Sequence, residues 1–321
     1  MRANLVFGGL LILLVPLSLL AGRVWIDPAS TPNAALILME LRLPRTVLAL
    51  VIGAGLGAAG AAMQGYLRNP LADPGLFGIA PMAALGAVLS FGFGSALGQW
   101  GLPAFALTGA AFAMGLLALI AGRTPAGAGG GIALFTLAGL MIASLAGALT
   151  ALVITLSPNA FALSQIVMWL NGALTDRSWS EVVIAAPLIG AGIVVLMLAA
   201  RSLDALTLGE DAARSMGVDP TRLLWLLVCG IGLTVGAGVA VAGIIGFVGL
   251  VVPHLVRPLT DRLPSSLIVP SALAGACLVL IADGIVRILP LMTELRLGIA
   301  LSLIGAPFFL NLLLRLRRGR L

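Results

Sequence analysis

Residues 40–78 read ELRLPRTVLALVIGAGLGAAGAAMQGYLRNPLADPGLFG, a long apolar run between two short polar segments. Pro44 follows the first polar segment, and a helix can begin there because the first turn does not need its N–H group. Asn69 precedes a proline and is therefore disfavoured in the helical conformation, which predicts the end of the helix. Asp73 and the proline after it then supply an N-cap and a first-turn residue for the next helix. The stretch predicts a membrane-length helix over 46–67 followed by a tight polar elbow.

Similar uncharged runs, of about the 20 residues that cross the hydrocarbon core of a bilayer, recur along the chain. Residues 223–252 are uncharged and interrupted by glycines, which predicts two helices, one of them short, because broken backbone is tolerated at membrane depth where protein buries it. The first run is either a retained helix or a signal peptide, and its length favours a retained helix. The sequence therefore predicts an all-α polytopic membrane protein with a single domain over 1–321. About ten transmembrane helices are expected, some of them short or broken. They are predicted over 5–22, 46–67, 75–98, 102–122, 132–156, 182–200, 223–252 (two helices), 267–281 and 297–314.

Composition and charge support a membrane protein and give its orientation. Hydrophobic residues make up 60% of the chain and charged residues only 9%, against about a quarter charged in soluble proteins. All 18 basic residues are arginine. If the N-terminus is cytoplasmic, twelve of these arginines fall in cytoplasmic segments and the other six outside, in agreement with the positive-inside rule. We therefore expect a multi-pass inner-membrane protein with both termini in the cytoplasm.

The same composition excludes several classes of function. A nucleotide-binding P-loop and a Schiff-base enzyme both need a lysine, so any ATP-driven work must occur in another chain. The arginines are scattered singly, apart from four near the C-terminus, and do not form the basic face that nucleic acid requires. Cys229 and Cys277 lie in apolar runs and are expected to be small buried side chains rather than a disulfide or a metal pair. No catalytic residue and no metal site is predicted.

Small residues are spaced for close helix packing. Gly53 and Gly57, and likewise Gly232 and Gly236, lie four residues apart in predicted spans. Because small residues let helix backbones approach each other in lipid, this spacing predicts a tightly packed bundle.

The long charged connection over 201–222 has the pattern of a short amphipathic helix. Its apolar or small residues recur at helical spacing, at Leu208, Ala212 and Met216. Gly209 and the acidic residues after it are placed to begin the helix, since carboxylates suit the positive end of the helix dipole. Gly217 is placed to end it, and Asp219 and Pro220 to begin another. Such an element suits a groove on a partner protein.

The motifs LRLPR, MQ and RNPLADP within 40–78 resemble the iron-chelate and cobalamin permeases of ABC importers. The resemblance continues through WLNG at 169–172, LGEDAARSMGV, GFVGLVVPHLVR and IGAPFFLNLLLR, and so covers essentially the whole chain. It implies the permease subunit of a type II importer for an iron chelate, with ferric siderophore the first expectation and haem or cobalamin the next. It also implies a second permease subunit, most simply in a homodimer, two ATPase subunits that hold the ATP and Mg²⁺, and a periplasmic substrate-binding protein. No cofactor is expected in this chain.

The resemblance also assigns roles to particular residues. It places Arg42 and Arg287 at the docking surface for the binding protein, whereas Arg45 and Arg296 receive no role. Residues 294–298 read ELRLG where the family usually has proline in third place, so the outer end of the last span is expected to differ. ATPase coupling is assigned to Leu208, Gly209, Glu210, Ala212, Ala213, Arg214, Met216 and Gly217. The cytoplasmic gate is assigned to Asn69, Leu71, Gly131, Ile132 and Ala133, next to Gly129 and Gly130.

Two other classes of function remain as alternatives. An ion- or proton-coupled secondary transporter needs several ionisable residues near the bilayer centre, and the predicted spans contain very few. An intramembrane enzyme would need a catalytic constellation that the spans lack. Asp283 lies within a span, with Arg287 one turn away, which predicts a packed ion pair near the outer surface. His254, the only histidine, is expected to be a structural hydrogen-bonding residue rather than a haem ligand.

Overall fold

The computed structural model describes residues 2–28, 30–93, 95–121, 131–157 and 159–317, and these residues form helices and turns but no strand. The main helices are α1 (Arg2–Leu20), α2 (Ala34–Leu67), α3 (Ile79–Phe93), α4 (Gly101–Ala121), α5 (Gly131–Thr155), α6 (Ala160–Leu170), α7 (Trp179–Leu206), α8 (Glu210–Ser215), α9 (Pro220–Ala242), α10 (Val248–Val256), α11 (Pro264–Ile288) and α12 (Leu297–Arg317).

The helices coincide with the predicted spans. Among the described residues, eight helices are long and apolar enough to cross a membrane, and α3 and α10 are shorter apolar helices. The run over 223–252 divides as predicted into α9 and the short α10, separated by residues 243–247. Sequence analysis missed α6, because its 11 residues are too few to register as a span. The all-helical membrane fold is therefore confirmed.

The prediction that α2 begins at Pro44 is wrong. Helical structure starts at Ala34 and passes through a π-helical segment, Ile37–Arg42, directly before the proline. The Leu43 N–H bonds the Leu38 carbonyl, one residue further back than in an α-helix. A proline lacks an N–H, and its ring clashes with the carbonyl four residues earlier, so a widened turn at this point lets the helix continue through it. As a result the charged residues over 40–45 lie on a helix rather than in a loop.

Three helices form the centre of the bundle. The apolar parts of α2, α9 and α11 are mostly buried inside the chain, whereas those of α1 and α5 are largely exposed. Helix α2 packs along α11 on one side and α7 on another. The exposed apolar faces of the outer helices are suited to lipid or to other membrane subunits.

Glycines set the distance between the central helices. A Cβ atom on Gly53 would overlap the Gly275 carbonyl, one on Gly57 the Ser271 carbonyl, and one on Gly60 the Gly249 carbonyl. On α9, a Cβ on Gly232 would overlap the Met114 side chain, and one on Gly236 would lie 2.7 Å from the Ala110 Cβ. Both predicted small-residue pairs therefore lie at close helix contacts, Gly53 and Gly57 against backbone and Gly232 and Gly236 against side chains, as expected for helices that associate in lipid.

We expect Gly57→Ala to lower the unfolding midpoint of the detergent-solubilised protein by several degrees. The added methyl overlaps the Ser271 carbonyl, so α2 and α11 must separate, and overpacking of this kind costs about 1–3 kcal/mol. Gly190→Ala is the matched control, because a Cβ there meets nothing within 4 Å. Thermal unfolding followed by tryptophan fluorescence measures both variants, and equal midpoints would contradict the close approach at Gly57.

Candidate functional site

The elbow after α2 is held by side chain to backbone hydrogen bonds. Arg68, with φ 49°, ends the helix in the left-handed region. The Asn69 Oδ1 accepts from the Leu71 N–H at 2.9 Å, and the Asp73 Oδ1 accepts from the Gly75 N–H at 2.7 Å. Burial raises the pKa of the Asp73 carboxyl above its usual range. The predicted cap at Asp73 is confirmed, although it begins a single 3₁₀ turn before α3.

The last turns of α2, just before the elbow, are attached to α10 and to the residue that follows it. The Gln64 Nε2 donates to the Leu250 carbonyl at 3.2 Å, while its Oε1 accepts from the Arg257 Nη2 at 3.0 Å. Gly243, with φ 73°, and Phe247, with φ 66°, turn the chain between α9 and α10. A cavity of about 400 Å³ lies between this break and the elbow. Among the described residues on its wall Asp73 alone is ionisable, so this lining is largely apolar.

The predicted coupling segment forms a short capped helix. Helix α7 continues to Leu206, so the connection is shorter than the predicted 201–222. Gly209, with φ 107°, is the N-cap of α8, a conformation that a side chain would strain. At the other end the Gly217 N–H bonds the Arg214 carbonyl at 2.9 Å and the Val218 N–H bonds the Ala213 carbonyl at 3.0 Å. This is a Schellman motif with Gly217 at C′, so the predicted start and end are both confirmed.

Helix α8 presents apolar side chains outward. Leu208 and Met216 are 68% and 63% exposed, whereas Ala213 is 2% exposed and faces the bundle. Ala212 is partly exposed between the two larger residues. The first residues of the helix are acidic, at Glu210 and Asp211. The arrangement is a small knob with apolar sides, which can enter a groove on another protein.

A second cavity joins this knob to the predicted gate. It has a volume of about 320 Å³ and is lined by Glu210, Ala213 and Arg214 of α8 together with Ile132 of α5 and Tyr66 of α2. Ile132, a predicted gate residue, therefore lines the same cavity as α8.

The other predicted gate residues do not all meet there. Leu71 lines the first cavity, Asn69 and Ala133 are exposed, and the backbone of Gly131 begins α5. Gly129 and Gly130 lie outside the described residues. The structure thus brings Ile132 to the coupling helix and leaves Asn69 and Leu71 at the elbow, and the gating role of all five stays a prediction.

The two arginines predicted to dock a binding protein are placed differently. Arg42 is half-buried, and its guanidinium donates to the carbonyls of Ala21 and Val24. Arg287 is only 3% exposed and donates from Nη2 to the Ser18 Oγ at 2.6 Å. As placed, Arg287 is held inside the chain and offers no charged surface to a partner, so the docking prediction fits Arg42 better than Arg287.

Four charged residues form a compact cluster at the end of the bundle that carries Arg42. The Arg45 Nε donates to both carboxylate oxygens of Asp283, at 2.9 and 3.1 Å, and its Nη2 lies 3.0 Å from the Glu294 Oε2. The Arg287 Nε lies 3.1 Å from the Asp283 Oδ2, which confirms the predicted pair. Glu294 also accepts from the Thr175 hydroxyl at 2.9 Å. Two positive and two negative groups balance one another, so the cluster has no net charge.

Sequence analysis missed the part that Arg45 plays in this cluster. Arg45 was expected outside the membrane, but its side chain is buried between α2 and α11. Burial opposes ionisation of Glu294, yet the nearby Arg45 guanidinium holds the pKa of that carboxyl below its usual value. The sequence already paired Asp283 with Arg287, so it held no signal that a second arginine, 238 positions away, would share the same carboxylate.

The described residues offer no metal centre. They contain no group of three or more His, Cys, Asp or Glu side chains that could hold a metal ion. The ring of His254 packs edge-to-face on Phe308 at 5.8 Å between centroids. Cys277 is buried and Cys229 partly buried, and both are free thiols.

Comparisons with known proteins agree on one family. Residues 10–315 match the FecCD transport family. The chain is 36% identical to the hemin transport system permease protein HmuU of Yersinia pestis over 99% of this chain and 98% of that protein. It is 38% identical to the Fe(3+) dicitrate transport system permease protein FecD of Escherichia coli over 88% of this chain and 86% of that protein.

A solved structure has the same fold. A metal-chelate type ABC transporter in an inward-facing conformation superimposes with a TM-score of 0.89 at 30% sequence identity. The superposition covers 98% of this chain and 99% of that one. The helical arrangement described above is therefore shared over the full length of a transporter subunit.

Proposed function

The chain belongs to the FecCD transport family, and we propose that it is the membrane-spanning permease subunit of an ABC importer for a metal chelate. Relatives named for hemin and ferric dicitrate transport support a chelate cargo. Among chelates, a ferric siderophore is our first candidate, with haem and cobalamin next. We place the chain in the inner membrane with both termini in the cytoplasm, in keeping with its arginine distribution.

The observation that carries the proposal is the capped helix α8. A chain without lysine cannot form a P-loop, so any energy from ATP must enter through a contact with another protein. Exposed Leu208 and Met216, which flank the short helix α8, supply such a contact, and Gly209 and Gly217 end the helix with positive φ values that a side chain would strain. We assign this knob to an ATPase subunit, with two ATPase subunits serving two copies of the permease.

The inner face of the knob provides a route by which movement of α8 could be transmitted into the bundle. Ala213 packs into the bundle, and the cavity beside it is shared with Ile132 and Tyr66. Movement of α8 would displace α5 at the predicted gate. Small and apolar side chains suit such a gate, since a passage with few strong ligands lets a large chelate leave as readily as it enters.

At the outer end we propose that Arg42 helps to orient a periplasmic binding protein. Charge pairs at an interface rim steer and orient association more than they add affinity. The buried cluster of Arg45, Asp283, Arg287 and Glu294 would hold the helix ends beneath this surface in a fixed arrangement.

Reconstituted transport tests the proposal. In liposomes that contain the chain, its ATPase partner and its binding protein, we expect uptake of radiolabelled ferric chelate to require ATP and to be insensitive to a protonophore. Competition by unlabelled siderophore, haem and cobalamin identifies the cargo. Uptake that persists without ATP and collapses with the protonophore would instead identify a proton-coupled secondary transporter.

A further inference from the structure

A basic cavity of about 210 Å³ lies at the end of the bundle that carries α8. It opens between the C-terminal ends of α2 and α7 and the start of α11. Arg68, Arg257 and Arg262 line it, together with Gln64 and Thr207. Among the described residues that line the cavity none is acidic, so the three arginines have no counter-charge on its wall.

Two carboxylates close in sequence to residues of the cavity accept hydrogen bonds from other groups. The Asp204 Oδ1 accepts from the Ser265 N–H at 2.8 Å, and the Asp261 Oδ1 accepts from the Leu263 N–H at 3.1 Å and from the Ser266 hydroxyl. Within the part of the chain that the structure describes, no carboxylate oxygen lies within 4.0 Å of a guanidinium nitrogen of the three cavity arginines.

The donors of Arg257 are only partly used. Its Nη2 donates to the Gln64 Oε1 at 3.0 Å, whereas its buried Nε has no hydrogen-bond partner. A buried donor left unsatisfied costs stability, and guanidinium groups match the oxygens of a phosphate in geometry as well as in charge. A group with several anionic oxygens would neutralise the positive charge of the arginines and accept hydrogen bonds from their unused N–H groups.

We propose that this cavity binds a phosphate group, supplied either by the headgroup of an anionic lipid or by a free phosphate. Exposed Leu259 and Leu263 lie beside the basic residues on the sequence that joins α10 to α11, and they suit the acyl chains of a lipid. The bound group would contact the ends of α2 and α7 and the start of α11 at once. It would lie next to the coupling knob, because Thr207 of the cavity precedes Leu208. The proposal does not depend on the identity of the cargo.

Lipid binding to the purified full chain tests the proposal. Native mass spectrometry of the detergent-solubilised protein, titrated with phosphatidylglycerol or phosphatidylcholine, measures retained lipid. We expect selective retention of phosphatidylglycerol and a loss of about tenfold in affinity in Arg257→Gln/Arg262→Gln, because charge-assisted hydrogen bonds are lost. Arg201→Gln/Arg222→Gln is the matched control, since these exposed arginines lie outside the cavity and the same charge is removed.

A second arm distinguishes the two sources of phosphate. Inorganic phosphate is compared with chloride at equal ionic strength for its effect on the thermal unfolding midpoint. Stabilisation by inorganic phosphate that disappears in the cavity variant identifies free phosphate, and lipid retention that disappears there identifies a headgroup. Arg262→Gln alone, at an exposed side chain, gives the same readout if the double variant does not fold. Binding that neither cavity variant reduces, or that the control reduces equally, would overturn the proposal.

Discussion

Asp283→Asn is expected to destabilise the chain by about 3–5 kcal/mol, the cost of removing one partner from a buried ion pair. Asp283 is fully buried, and its carboxylate is the shared partner of Arg45 and Arg287. The amide keeps the shape of the side chain but not its charge, so two guanidinium groups remain at the outer end with Glu294 as their only nearby counter-charge in the cluster. The unfolding midpoint of the detergent-solubilised protein measures the loss.

Two further variants separate this effect from general damage. Asp176→Asn makes the same replacement at an exposed residue of the same end and should change stability by less than about 0.5 kcal/mol. Asp283→Asn/Arg45→Gln removes an unmatched positive charge together with the carboxylate, so its cost should be smaller than the sum of the two single variants. Additive costs would show that the two residues do not interact and would contradict the cluster.

Features that depend on nearby residues were predictable from the sequence. The ends of α8 follow from Gly209 and Gly217, because both positions need a backbone conformation that glycine adopts readily. The division of 223–252 follows from its excessive length and its glycines. The close approach at Gly53 and Gly57 follows from their spacing on one helix face, although the sequence does not say which helix they meet.

Features that depend on distant residues were not predictable. Arg45 and Asp283 are separated by 238 positions, and only the packing of α2 against α11 brings them together. The packing of α1 against α11 buries Arg287, which donates to Ser18 and Ala21 and which the family resemblance had placed at the surface.

The early start of α2 was hidden because charged residues over 40–45 interrupt the apolar run. In the structure Glu40 is exposed on the continuing helix, Arg42 donates to backbone carbonyls and Arg45 is paired with Asp283. For α6, an apolar run of 11 residues could equally have been a loop, and length alone could not decide.

Met216→Glu is expected to reduce retention of the ATPase partner by at least tenfold. Met216 is 63% exposed at the end of α8, and Leu208 is 68% exposed at its start, so both present apolar surface without supporting the core. A carboxylate buried in a complementary groove would lose its hydration without gaining a partner, a penalty well above the 1.4 kcal/mol that corresponds to a tenfold change. Co-purification of the complex in detergent, followed by quantification of both chains, measures the effect.

Met292→Glu is the matched control, because Met292 is a fully exposed methionine between α11 and α12, at the opposite end of the bundle. The two substitutions are chemically identical and neither alters a buried side chain. A difference in ATPase retention between them is therefore expected only if the ATPase contacts the α8 region. Equal loss in both variants would point to a nonspecific effect of the added charge, and full retention in Met216→Glu would place the ATPase contact elsewhere. If Met216→Glu retains the ATPase but loses ATP-dependent uptake, Met216 is not needed to bind the ATPase but is needed to transmit its movement. That result would implicate the cavity lined by Glu210 and Ile132 in the transmission.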